Sequence, residues 1–129
     1  DDHRLVEGAL DRLGIADLAH RRLSTLSGGQ RQRALVAQGL VQRSAVLLLD
    51  EPTAGLDVAA QDAIAAALRR AADDGAAAVH VTHDLAVADR ADHCVLLSGG
   101  RVVAEGMPED VLTHDTVDHA WGLDRYRGR

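Results

Sequence analysis

Residues 26–51 read LSGGQRQRALVAQGLVQRSAVLLLDE, and this stretch decides the fold of the chain. It opens with Leu26-Ser27-Gly28-Gly29-Gln30, directly before a predicted helix, where two glycines leave backbone N–H groups accessible to an anion. It ends with an apolar run that Asp50 and Glu51 follow without a gap. This stretch can therefore form an anion site at a helix start and place two carboxylates at the end of a buried strand.

Length, composition and charge restrict the class of protein. The 129 residues are 47% hydrophobic, contain no Phe and carry a net charge of −6, which favours one globular domain with an aliphatic core. All 14 basic residues are arginine, and the acidic balance argues against a nucleic-acid surface. Cys94 is the single cysteine, so a disulfide framework is excluded. No signal peptide opens the sequence and no apolar run approaches a membrane helix, so we expect a soluble protein that reaches a membrane only through a partner.

The hydrophobic pattern predicts an α/β fold, with parallel strands flanked by helices. Helices are predicted for residues 3–13, 30–43, 58–73, 85–91 and 108–112, and strands for 45–49, 77–82, 95–98 and 101–104. The first two strands are continuous apolar runs, so we expect them to be buried on both faces. Asp57 is a predicted N-cap, and Gly99-Gly100 predicts a hairpin turn. The segment after Thr113 is polar, and its pattern does not determine its structure.

Chemically capable residues follow both of the predicted parallel strands. Asp50 and Glu51 come directly after the first strand, and His83 follows the second. Strand, helix, strand is a βαβ unit, and ligands of open parallel sheets bind beyond the carboxyl ends of the strands. The spacing therefore predicts that the carboxylates and the histidine lie on one edge of one sheet.

Each motif has a structural reading beside its functional one. Ser27-Gly28-Gly29 can be an N-cap after a flexible turn or an anion site. Asp50 and Glu51 can be a solvated strand end before a proline turn. Alternatively, one carboxylate holds Mg²⁺ through its water shell and the other polarises an attacking water as a general base. His83 can be structural or can hydrogen-bond a terminal phosphate oxygen.

The order and spacing of these motifs resemble those of the ATP-binding cassette (ABC) ATPases over residues 3–112. The stretch Leu26 to Gln30 resembles the ABC signature motif, and Val46 to Asp50 resembles the Walker B strand. Glu51 is similar to the catalytic glutamate, residues 54–57 to the D-loop, and His83 to the switch histidine. The run of residues 100–106 is similar to the hairpin that these ATPases carry after the switch region.

The resemblance implies a P-loop NTPase core and a division of labour between two nucleotide sites. Residues 1–44 would be part of the helical subdomain, and residues 45–129 part of the ATPase core. Two ATPase domains would close head to tail around ATP, with Ser27, Gly28, Gly29 and Gln30 serving the nucleotide held by the partner. Asp50 would hold Mg²⁺ through water, Glu51 and His83 would act on the chain's own nucleotide, and Asp57 would couple the two sites.

The resemblance further implies transmembrane permease subunits as partners and a cytoplasmic position on the inner face of the membrane. The segment Glu51 to Asp57 is similar to importer-type subunits. The sequence of residues 24–57, together with Trp121-Gly122-Leu123, resembles that of subunits that serve metal ions or metal chelates.

One part of the family pattern is missing, because the phosphate loop GxxxxGK[ST] needs a lysine and the chain has none. We therefore expect a fragment of an ABC ATPase that does not hydrolyse ATP by itself and whose open apolar strands favour association. Two alternatives remain at this stage. One is a soluble ABC ATPase acting on ribosomes or DNA, although Ala54-Gly55 stands where ribosomal relatives carry Asn-His. The other is a non-catalytic module that completes a partner's ATP site through Ser27 and Gly29.

Overall fold

A computed structural model describes residues 2–122 of the chain. The elements are α1 (Asp2–Arg12), α2 (Gly28–Val41), β1 (Val46–Asp50), α3 (Val58–Asp73), β2 (Ala77–Val81), α4 (Leu85–Ala88), β3 (Cys94–Ser98), β4 (Arg101–Gly106), α5 (Pro108–Val111) and α6 (His114–Trp121). Short 3₁₀ turns at Ala16–Leu18 and Leu23–Thr25 connect α1 to α2. The chain divides into two compact units, Asp1–Val81 and Thr82–Arg129.

Helices α1, α2 and α3 of the first unit share one aliphatic core. Its buried members are Ala9, Leu13, Ile15, Val36, Ala37, Ile64, Ala67 and Leu68. Burying a large aliphatic side chain contributes roughly 1.5–3 kcal/mol, so this cluster holds the three helices together. The core draws on residues from both sides of position 44, and the boundary between a helical subdomain and an ATPase core remains a prediction.

Strands β1 and β2 are parallel neighbours, as predicted, with Val46 beside Ala77 and Asp50 beside Val81. The prediction that both faces of these strands are buried is wrong. Leu47 and Leu49 pack against the aliphatic core, whereas Leu48 is 75% exposed. The exposed face also carries Val46, Val79 and Val81. The apolar run correctly predicts a strand, but it does not specify which element covers each face. Association through the open face remains a prediction.

The second unit is built on the antiparallel hairpin of β3 and β4. Gly99 and Gly100 turn the chain with φ values of 58° and 74°, which agrees with the predicted hairpin turn. Cys94, Leu96 and Val111 form its small buried core. The Cys94 thiol donates to the Ala88 carbonyl oxygen at 3.3 Å, and burial, assisted by the charge of Asp89, raises the pKa of Cys94.

Helix α6 was not predicted, because its sequence is polar. The Thr113 hydroxyl caps the helix by accepting from the Thr116 N–H at 3.2 Å, and Gly122 ends it with a φ of 65°. Val117, which is 4% exposed, is the buried apolar residue of the helix. The remaining residues of the predicted polar tail, 123–129, lie outside the described residues. Within residues 2–122, no helix is both long and apolar enough to span a membrane.

Candidate nucleotide site

The signature-like segment forms a capped helix start. Helix α2 begins at Gly28, two residues before the predicted start, so both glycines lie in its first turn. The Ser27 hydroxyl accepts from the Gln30 N–H at 3.2 Å, and the Gln30 side-chain oxygen accepts from the Ser27 N–H at 3.0 Å. This capping box confirms the structural reading of Ser27. Because the hydroxyl oxygen acts as an acceptor, its proton can still be donated to an anion.

The first turn of α2 supplies backbone donors. The N–H groups of Gly28 and Gly29 belong to a turn whose donors have no acceptor inside the helix, and the helix dipole adds partial positive charge there. A Cβ atom at Gly28 would have no heavy atom within 4 Å, so this position is open to a ligand. A Cβ atom at Gly29 would lie 3.2 Å from Cδ2 of Leu56. The helix start therefore packs beside the loop that follows Glu51.

The two carboxylates at the end of β1 have different surroundings. Asp50 is the last residue of the strand and is exposed, and an exposed carboxylate of this kind suits the hard cation Mg²⁺. Glu51 is half-buried and has a φ of 47°, which is unusual for a residue with a side chain. Its N–H donates to the Val81 carbonyl oxygen at 2.8 Å, which extends the pairing with β2 by one residue. Strain of this kind is concentrated at functional sites.

The loop from Glu51 to Asp57 is held by hydrogen bonds and by burial. Pro52 and Thr53 are buried, and the Gln61 side-chain amide donates to the carbonyl oxygens of Thr53 and Leu56 at 3.4 and 3.1 Å. The Asp57 carboxylate accepts from the Ala60 N–H at 2.8 Å, which confirms the predicted N-cap of α3. The loop that carries the D-loop-like residues is therefore a fixed part of the first unit.

His80 is a residue near Glu51 that the sequence reasoning passed over. It lies in β2 beside Leu49, on the half-covered face of the strand pair. Its Nε2 atom is buried and has no hydrogen-bond partner. Burial lowers the pKa of His80, and the negative charge of Glu51 partly opposes this effect. The period-two alternation within β2, which sets His80 on the face opposite Val79 and Val81, was the signal available in the sequence.

His83 belongs to the second unit, so its position relative to Asp50 and Glu51 remains a prediction. It is exposed and lies in a bend after β2. The Asp84 N–H donates to the Thr82 hydroxyl at 3.0 Å, and the Asp84 carboxylate accepts from the Ala86 N–H at 2.9 Å. These bonds fix the backbone on both sides of the imidazole.

The acidic and histidine residues of α6 form a local pair. His114 Nδ1 lies 3.0 Å from the Asp118 carboxylate, one helical turn away. Over residues 2–122, no group of three or more His, Cys, Asp or Glu side chains is placed to hold a metal ion. A cation at Asp50 would therefore take most of its ligands from water and from the phosphates of a nucleotide.

The capped glycine start of α2, which lies beside the loop after Glu51, and the parallel strand pair are compatible with an ABC ATPase. Residues 1–54 match the family model described as "ABC transporter". The chain belongs to this family, and its fold is that of part of an ABC ATPase domain.

Two curated ATP-binding proteins are similar to this chain over most of its length. The hemin import ATP-binding protein HmuV of Bradyrhizobium diazoefficiens is 43% identical over 130 residues, which cover 94% of this chain and 48% of the relative. The ferric enterobactin transport ATP-binding protein FepC of Escherichia coli is 39% identical, with 95% of this chain and 46% of the relative covered.

Solved structures agree with this assignment. An ABC transporter described as of the metal-chelate type, in an inward-facing conformation, superposes with a TM-score of 0.81 and 31% identity. The match covers 93% of this chain and 48% of that chain. The chain thus spans about half the length of the curated relatives that it matches.

Proposed function

We propose that this chain is part of an ATP-hydrolysing subunit that powers import of metal chelates through a membrane ABC transporter. The names of its relatives support the substrate class, because they describe import or transport of hemin, cobalamin, ferric enterobactin and petrobactin. Each of these ligands is a large organic molecule that holds or binds a metal ion. The partners in this proposal are permease subunits and a second ATPase domain, with the subunit on the cytoplasmic side of the membrane.

The observation that carries the proposal is the close approach of Gly29 to the side chain of Leu56. It brings a helix start suited to phosphate beside the loop that begins with Glu51 and ends with Asp57. In a head-to-tail pair of domains, this arrangement would let one loop respond to two nucleotides. In this proposal Asp57, whose carboxylate caps the start of α3, is the residue that couples them.

The proposed roles follow from the surroundings of each group. Ser27 can donate its hydroxyl proton, and Gly28 and Gly29 can donate backbone N–H groups, to the terminal phosphate of ATP held by the second domain. Gln30 keeps this helix start in place through its bond to Ser27.

On the chain's own nucleotide, the exposed Asp50 would hold Mg²⁺ through water, and the ion would neutralise phosphate charge. The half-buried Glu51 would accept the proton of the attacking water as a general base, and His83 would donate to the terminal phosphate.

Hydrolysis also requires a phosphate loop, which these 129 residues do not contain, since they include no lysine. We therefore expect the 129-residue chain alone to show no ATPase activity. The same observation favours a second function for the isolated chain: it can complete the ATP site of an intact ABC ATPase through Ser27 and Gly29. Binding to such a partner that depends on ATP would support this second function.

The decisive experiment joins the phosphate-loop half of the Bradyrhizobium hemin ATPase to this chain, here termed the joined domain. We expect the joined domain to hydrolyse Mg-ATP. Glu51→Gln should lower the turnover rate by roughly 10²–10⁴-fold, the usual contribution of a general base, while ATP-driven dimerisation is retained.

The matched control is Glu109→Gln, which removes an exposed carboxylate in α5 and should leave turnover unchanged. Unchanged turnover in Glu51→Gln would show that Glu51 is not the general base. A joined domain that binds a fluorescent ATP analogue but never hydrolyses ATP would overturn the proposed activity.

The substrate class has a separate test. In a bacterium that lacks its hemin ATPase, the joined domain should restore growth on hemin as the iron source and make no difference to growth on a ferric salt. Restored ATPase activity without restored growth would contradict the proposed substrate class.

A further inference from the structure

The side chain of Gln61 makes two hydrogen bonds to the loop of residues 51–57, and the proposed mechanism gives it no role. Gln61 lies in the first turn of α3 and is half-buried. Its side-chain nitrogen donates to the carbonyl oxygens of Thr53 and Leu56 at 3.4 and 3.1 Å. A primary amide carries two N–H groups, so this nitrogen can serve both acceptors with separate protons. A single side chain of α3 therefore holds two points of the loop.

The two acceptors flank the turn at Ala54 and Gly55. Gly55 has a φ of 71°, and the Leu56 N–H closes the turn by donating to the Thr53 carbonyl oxygen at 3.3 Å. This backbone bond is longer than the usual range of about 2.7–3.2 Å. The Gln61 amide adds a second link between the same two residues. The position of Leu56 thus depends on α3 as well as on the turn.

Leu56 is also the residue through which the loop approaches α2. A Cβ atom at Gly29 would lie 3.2 Å from Cδ2 of Leu56, a separation tighter than ordinary van der Waals contact. Leu56 packs at the same time against the aliphatic core of the first unit. Because packed side chains leave few voids, Leu56 cannot move far without displacing its neighbours. The Gln61 amide therefore acts on two motifs, the loop that it bonds and the helix start that Leu56 approaches.

We propose that Gln61 is a positioning residue of the ATPase reaction: its amide fixes Leu56, which sets the start of α2 against the loop that begins with Glu51. Under the proposed function, the start of α2 serves the ATP of the second domain, and Glu51 serves the chain's own nucleotide. The amide thus keeps groups that serve two different nucleotides at a fixed separation. The inference rests on the proposed function for its catalytic meaning, but the closure of the loop by Gln61 can be tested on the chain alone.

The first test measures amide hydrogen exchange by NMR in the 129-residue chain. Two variants remove both N–H donors: Gln61→Leu is uncharged, and Gln61→Glu keeps the length of the side chain and suits a helix start. In both variants the Leu56 amide should exchange about tenfold faster, because its opening no longer breaks the bonds from the Gln61 amide. The amide resonance of Gly29 should shift as well, since Leu56 lies beside it.

Gln38→Leu is the matched control for the exchange test. It removes an exposed amide of α2 and should leave the Leu56 and Gly29 signals unchanged. A Leu56 amide whose exchange is unaffected in either Gln61 variant overturns the proposal.

The second test measures turnover in the joined domain. Gln61→Leu should lower kcat by about tenfold with the KM for ATP unchanged, because a misplaced group can cost up to about 10²-fold. Gln61→His, whose Nε2–H can take the place of one amide N–H, should recover part of the loss. Equal turnover in the Leu and His variants would assign Gln61 a packing role only and overturn the proposed role.

The outcomes separate the inference from the function on which it rests. A joined domain that hydrolyses ATP equally well with Gln61 or Leu at this position contradicts the inference and leaves the ATPase function intact. A joined domain without activity contradicts the function, and the exchange result then decides whether Gln61 holds the loop.

Discussion

The tripeptide Ser-Gly-Gly occurs at residues 27–29 and again at residues 98–100, and its two copies fold differently. The first copy caps and begins α2, with both glycines in the helix. The second copy ends β3, and its glycines take φ values of 58° and 74° to turn the chain into β4. Because the three residues are identical, their surroundings must select the conformation.

The residues that follow each copy explain the difference. Gln30 completes a capping box with Ser27, and an amphipathic segment continues the helix. Arg101 is followed instead by Val102 and Val103, whose β-branched side chains favour a strand. Only the first copy points several backbone N–H groups in one direction along a helix dipole. Anion binding is thus a property of the helix that the tripeptide begins.

The strongest test of this comparison adds the same charge to both copies. In the joined domain, Gly29→Asp should lower ATP hydrolysis by about 10² or more, because a carboxylate would stand where a backbone donor is proposed to meet phosphate. Gly99→Asp should leave hydrolysis within about twofold, since Asp tolerates a positive φ in a turn. Turnover at saturating Mg-ATP is the measurement.

Gly29→Ala controls for the close contact of Gly29 with Leu56, because its Cβ meets the same 3.2 Å neighbour without a charge. Its loss of activity should be smaller than that of Gly29→Asp. Equal losses in Gly29→Asp and Gly99→Asp would mean that the two copies do not differ in function.

The next test replaces one glycine of each copy with alanine, and the expected changes in the free energy of unfolding have opposite signs. Gly28→Ala should stabilise the chain by about 0.4–1 kcal/mol, because the residue is helical and its Cβ has open space. Gly100→Ala should destabilise the hairpin by about 1–2 kcal/mol, since an L-residue is strained at a φ of 74°.

Urea unfolding measures both effects of the glycine substitutions. Circular dichroism follows the helices, and the fluorescence of Trp121 in α6 follows the second unit. A change of the same sign in the free energy of unfolding for both variants would show that the two glycines have the same conformational role.

These contrasts indicate how far the sequence alone could lead. The hydrophobic period, the capping residues and the Gly-Gly turn predicted α2, α3 and the hairpin, because these signals are local in the sequence. The exposure of Leu48 was not predicted, since the sequence of an apolar strand does not specify which elements cover its two faces. Helix α6 was missed because its stability comes from the Thr113 cap and one buried valine.

For the site, the motif order predicted Ser27, Asp50 and Glu51, and the N-cap of Asp57 is confirmed. The left-handed backbone of Glu51 and the buried Nε2 of His80 depend on the pairing of β1 with β2, which joins residues distant in sequence. Sequence patterns do not encode such contacts directly.

The smallest expected difference in stability between the two copies concerns their serines. Ser27→Ala removes an N-cap and should lower the free energy of unfolding by about 1 kcal/mol. Ser27→Asp keeps the cap, so its stability should match the parent chain, but it replaces a phosphate donor with a negative charge. Ser98→Ala removes the bond from the Ser98 hydroxyl to the Ala120 carbonyl oxygen, at a similar cost of about 0.5–1.5 kcal/mol.

Stability therefore cannot distinguish the two copies, whereas hydrolysis in the joined domain should fall in both Ser27 variants and persist in Ser98→Ala. Full activity in Ser27→Asp would reduce Ser27 to a helix cap and leave the glycine N–H groups as the remaining contacts to phosphate.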